Sequence, residues 1–79
     1  MLSIEEFKQL ISENLGIDKS KLTNETSFLE DLGVDSLSMV NFIIKLELKF
    51  QVKIELENVW LLNNVREAHE LLIKTINNA

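Results

Sequence analysis

No proline and only two glycines occur in the 79 residues of this chain. So few breakers cannot supply the repeated tight turns of a β-sandwich or barrel, and they leave helices uninterrupted. The spacing of the apolar residues agrees. Ile4, Phe7, Ile11 and Leu15 recur at helical intervals, and so do Val65, Ala68, Leu72 and Ile76. Capping residues bound these runs. Ser3 and Glu6 have capping-box spacing, Gly16 suits a left-handed helix end, and Asn64 with Glu67 can open the last helix. The expected helices cover about residues 3–15 and 65–77.

A further helix is expected from Ser36 to about Phe50, with Asp35 as its N-cap and Gly33 turning the chain into it. Val40, Ile43, Leu46 and Phe50 make its obvious core stripe, but Leu37, Met39, Phe42, Ile44 and Leu48 are apolar as well. A helix so apolar around its circumference is either central or shows apolar surface to a partner, and both are expected here. Before it, residues 17–35 form a long irregular connection. Turn formers fill it, and Leu22, Phe28, Leu29 and Leu32 are expected to pin it to the core. After it, residues 51–56 alternate in a strand-like way but have no second strand to pair with. They read as an extended connector, followed by a short helix at about 57–62. The fold class is all-α: a bundle of three main helices and one short one, forming a single domain over residues 1–79.

The formal net charge of −5 argues against the basic face that nucleic-acid binding requires, and favours a protein partner with a basic patch. The start of the sequence lacks a basic region followed by an apolar run, so no secretory signal is expected, and no run is long enough to span a membrane. The cytoplasm is the expected compartment, and the sequon Asn24-Glu25-Thr26 carries no weight there. With no cysteine there are no disulfides. No metal site is expected. His69 has no second histidine to share a metal, and it reads as a structural residue at the core edge or a pH-sensitive packing element. Trp60 reads as a lid on the core. An EF-hand starting at Asp31 fails because Ser36 and Phe42 stand where the loop needs glycine and glutamate.

The segment that can carry chemistry is Glu30-Asp31-Leu32-Gly33-Val34-Asp35-Ser36-Leu37. It sets a serine at the first turn of the most apolar helix. The unpaired N–H groups and the helix dipole favour a phosphate there by about 0.3–1 kcal/mol. Asp35 and Asp31 oppose it by a comparable amount. A phosphate that belongs at this place should therefore be covalently attached.

Leu32-Gly33-Val34-Asp35-Ser36-Leu37 resembles the phosphopantetheine attachment motif of acyl carrier proteins, with Asp-Ser-Leu at its centre. Phe28-Leu29-Glu30-Asp31-Leu32-Gly33 and Leu46-Glu47-Leu48-Lys49-Phe50 match the same family, and the likeness covers nearly the whole chain with its helix spacing intact. The resemblance implies a four-helix carrier fold in which a transferase with Mg²⁺ moves 4'-phosphopantetheine from coenzyme A onto the Ser36 hydroxyl. The arm's thiol would then hold an acyl group as a thioester for delivery to partner enzymes of fatty-acid or polyketide-type biosynthesis. The protein would be a monomeric shuttle and not an enzyme. The resemblance further implies partner contacts at Leu37, Ile44 and Glu47, with Asp35 as the flanking acid that engages the transferase and partners. Leu48, apolar on the same helix, is expected to meet a partner as well.

The sequence departs from that family's fatty-acid carriers in the second helix, where Asn41, Lys45, Leu48 and Lys49 make it less acidic and more apolar. Glu55 stands where proline is common, and Asn58, Val59 and Trp60 stand where acids and alanine are usual. These departures keep open an aminoacyl or peptidyl carrier of a nonribosomal or D-alanyl transfer system. A helical interaction module without any prosthetic group is the rival from another class. It explains apolar surface but not the serine motif.

Overall fold

The computed structural model describes residues 2–54 and 63–78. Among them the chain is all-helical, with α1 (Ile4–Leu15), α2 (Ser36–Phe50) and α3 (Val65–Asn77), one 3₁₀ turn at Lys19–Lys21 and no strand. The expected short helix at 57–62, with Trp60, lies outside the described residues.

The helix ends follow local chemistry. Ser3 Oγ accepts the Glu6 N–H and Glu6 Oε1 accepts the Ser3 N–H, both at 3.1 Å, so α1 opens on a closed capping box. It ends at Gly16, whose φ of 69° is a left-handed conformation that costs glycine little. Asp35 and Asn64 cap α2 and α3 through Ser38 N–H at 2.8 Å and Glu67 N–H at 2.9 Å. The Glu67 carboxylate does not complete a box with the cap residue. It accepts from Asn63 N–H at 3.3 Å, one residue earlier.

α1 packs against both α2 and α3. Phe7 and Ile11 of α1 and Val65, Ala68 and Leu72 of α3 are buried as their spacing predicts, with Ile4, Leu15 and Ile76 packed at the margin. Lys8 is buried too, its stem along the core and its Nζ 3.0 Å from Glu5 Oε2. His69 lies at the core edge, 5.7 Å from the Phe7 ring and with Nε2 2.9 Å from the Leu2 carbonyl oxygen.

Two expectations about the core need correction. The buried face of α2 is Met39, Phe42, Ile43 and Leu46, while Val40 and Phe50 are only half-buried. The helix is turned by about one residue from the predicted stripe: apolar Met39 and Phe42 flank that stripe and take the core positions, while the polar Asn41, Lys45 and Lys49 stay exposed. In the first connection, Leu22 and Phe28 are buried and Leu32 packs partly, but Leu29 is 60% exposed. Phe28 and Leu32 sit four apart on one side of a tight turn, and Leu29 falls on the other. Val34 enters the core where Leu29 was expected.

The connection is tied to α3 by bonds with no counterpart in sequence periodicity. The carbonyls of Thr26 and Asn24 accept the N–H groups of Val65 and Arg66 at 3.0 and 2.9 Å, which satisfies donors that a helix start leaves free. Ser27 and Asn64 form an isolated antiparallel pair, and Arg66 Nη1 reaches Glu25 Oε1 at 2.8 Å. After α2, Gln51 turns the chain in a left-handed conformation, and the extended connector buries Ile54 as expected.

Candidate functional site

The residues leading to Ser36 are pinned one by one. Ser27 Oγ accepts from Glu30 N–H at 3.1 Å, and Asp31 Oδ2 accepts from Ser27 N–H at 2.7 Å. The Ser27 carbonyl takes the N–H groups of Asp31 and Leu32, each at 3.1 Å. Gly33 then adopts a φ of 62°, which lets Val34 bury its side chain and donate its N–H to the Phe28 carbonyl at 2.8 Å. This run delivers Asp35 and Ser36 to one defined place, at the start of α2.

Asp35 is exposed, and its Oδ1 accepts the Ser38 N–H, which holds its carboxyl below the usual aspartate range. It is therefore ionised and fixed beside the serine. Ser36 is the first residue of α2 and is exposed. Among the described residues its hydroxyl has no hydrogen-bond partner. The side chain is not the helix cap, because Asp35 takes that role. Asp31 is committed to Ser27, so its carboxylate faces the connection's own backbone.

This arrangement fits a phosphodiester on Ser36. The side chain is exposed, among the described residues no hydrogen bond of its hydroxyl must break, and the dipole at the helix start partly offsets repulsion from Asp35. Among the described residues no cluster of three or more His or acidic side chains is placed to hold a metal.

The other predicted site residues lie along α2. Leu37 is 69% exposed, Ile44 43% and Leu48 76%, and they share the outer side of the helix. Spacings of seven and four residues keep them near one face. Glu47 differs. It is half-buried, and its Oε2 accepts the Ile54 N–H at 2.8 Å, which ties the connector to α2. Sequence reading passed over Leu29 as a surface residue, since an apolar side chain in an irregular segment carries no sign of direction.

A family model described as a phosphopantetheine attachment site matches residues 5–72. That range holds almost all of α1, the pinned connection, Asp35-Ser36-Leu37, all of α2 and most of α3. Among the described residues no helix is long and apolar enough to cross a membrane. With a match over most of its length, on an all-helical fold that offers an open serine, this chain belongs to the phosphopantetheine-attachment family and is a carrier protein for covalently bound 4'-phosphopantetheine.

Proposed function

We propose that this protein is an acyl carrier protein whose 4'-phosphopantetheine is attached to Ser36, and that it hands acyl groups to partner enzymes of fatty-acid or polyketide-type biosynthesis. The group supplies, when bound, the thiol that a chain without cysteine lacks, and holds the acyl group there as a thioester. The observation that carries the reading is the exposed Ser36 hydroxyl, free of partners among the described residues, directly after a cap aspartate held ionised by Ser38 N–H.

The chain's own part is to fix that oxygen in space and to show apolar surface beside it. Leu37, Ile44 and Leu48 supply that surface, and Asp35 is the acid that meets the transferase. Glu47 contributes to recognition with whatever lone pairs its bond to Ile54 leaves. In this reading no side chain among the described residues is assigned the role of general base, in keeping with a family whose carrier domains are generally not catalytic. The protein works as a single cytoplasmic domain over residues 1–79, as a monomer, with a phosphopantetheinyl transferase and the loading and condensing enzymes as its partners.

A second reading, an aminoacyl or peptidyl carrier, is favoured by one feature: exposed Lys45 and Lys49 around Leu48, where fatty-acid carriers are more acidic. Loading assays with acyl and aminoacyl donors separate the two.

Incubation with coenzyme A, Mg²⁺ and a broad-specificity transferase should add one phosphopantetheinyl unit to the wild-type mass. Ser36→Ala should stay unmodified while keeping its helical circular dichroism. A wild-type protein that several transferases leave untouched would contradict the proposal.

A further inference from the structure

The exposed side of α2 changes character toward its C-terminal end. Leu48 stands about 18 Å along the axis from Ser36, and exposed Lys45 and Lys49 flank it in sequence. Those lysines are four residues apart, so their ammonium groups leave the helix as neighbours on one side. Among the described residues neither comes within 4.0 Å of a carboxylate; the ion pairs there are Lys8–Glu5, Lys19–Glu5 and Arg66–Glu25. Beside them runs a groove of about 470 Å³ between α1 and α2. Half-buried Leu10 and buried Leu46 give it an apolar lining, and Glu13 and Asn14 stand on the α1 side. Asn14 already donates to the Leu10 carbonyl at 2.8 Å, so it is occupied within α1.

We propose that this groove docks an acidic amphipathic helix of a partner protein. An apolar side chain of that helix packs against Leu48 and Leu10, and two carboxylates one turn apart face Lys45 and Lys49. The inference rests on the carrier reading and names a partner class for the far end of the same α2 surface. Charge complementarity selects the occupant. The whole chain carries −5, yet among the described residues this rim holds two positive groups against one negative, Glu13. Over a screening length of about 8–10 Å the two lysines dominate what a docked helix feels. A membrane is the poorer fit, because two lysines and one exposed leucine give little anchorage and the acidic body is repelled by anionic headgroups. Docking there leaves Ser36 and Leu37 uncovered, so the partner can hold the carrier without hiding the attachment point.

The test uses the full chain labelled with ¹⁵N and a synthetic helical peptide in which a leucine lies between two glutamates spaced by four. A matched peptide carries lysines in place of the glutamates. The acidic peptide should shift amide resonances of residues 10–14 and 45–49, and the basic peptide should not. Lys45→Glu with Lys49→Glu should weaken acidic-peptide binding about tenfold and gain binding to the basic peptide. Lys45→Arg with Lys49→Arg should keep the wild-type preference. Equal response to both peptides, shifts centred elsewhere, response only to phosphatidylglycerol vesicles, or concentration-dependent shifts without peptide that mark a second copy of the chain would each overturn the proposal. The double glutamate variant should still accept phosphopantetheine. Failure of the wild type to accept it defeats the carrier reading and leaves the groove result to be judged separately.

Discussion

The connection before α2 and the outer side of α2 are built on opposite rules. In the connection, short polar side chains are committed to nearby backbone, and Phe28, at 1% exposure, locks the turn to the core. On α2, Leu37 and Leu48 stay more exposed than large apolar residues usually are. One region spends its chemistry internally and the other leaves it available. A carrier needs this division, because a tethered arm is useful only from a fixed anchor and its partners need surface that the fold does not require.

The sharpest way to break this comparison is to truncate the residue on which the connection closes. Phe28→Ala should cost about 3–5 kcal/mol, the range for emptying a buried aromatic site, whereas Leu29→Ala next to it should cost under about 0.5 kcal/mol. Urea unfolding followed by circular dichroism measures both. Equal losses would mean that the connection is not divided into inner and outer residues as described.

Asn64→Ala comes next. It removes the cap of α3 at the place where Ser27 and Thr26 meet that helix, and should cost about 1 kcal/mol. Hydrogen exchange should also quicken at Val65 and Arg66, whose N–H groups bond to the connection. Protection unchanged at both amides would show that the tie does not depend on the cap.

Acid gives a smaller effect. Asp35 and Asp18 are held below their usual range by Ser38 and Ser20 backbone N–H groups, Glu6 by the Ser3 N–H, and Glu5 by its hydrogen bond from Lys8. A carboxyl depressed in the folded state stabilises above its unfolded pKa, and that contribution is lost as pH falls through the folded value. The melting temperature should therefore stay level between about pH 5 and 7 and drop below about pH 4. These groups are exposed, so solvent screening keeps the drop modest. A melting temperature that rises on acidification would contradict the sign.

Smallest of all is the expected stability change in Leu48→Ser, within about 0.5 kcal/mol. Its effect should appear in slower acyl loading by a partner enzyme. A large stability loss would place Leu48 in the fold and not on a docking face.

Sequence carried the helix limits well, because Ser3, Asp35, Asn64 and Gly16 each mark an end by local chemistry. The motif around Ser36 singled it out as the proposed attachment point, and the fold leaves that residue exposed. Sequence did not carry the rotation of α2, since apolar residues lie on both sides of the predicted stripe and their spacing alone does not say which side meets the core. The pairing of residues 24–27 with 64–66 was equally hidden, because backbone bonds between distant segments leave no periodic trace. Glu47 shows the limit for the site. The family resemblance implied a recognition role for this acid, and only the fold reveals that it accepts the Ile54 N–H.

The central claim is that one hydroxyl, Ser36 Oγ, is the anchor. After treatment with coenzyme A and a transferase, fragmentation mass spectrometry should find the phosphopantetheinyl mass on Ser36 alone. The same mass on Ser38, on Ser27 or on no serine would contradict the account.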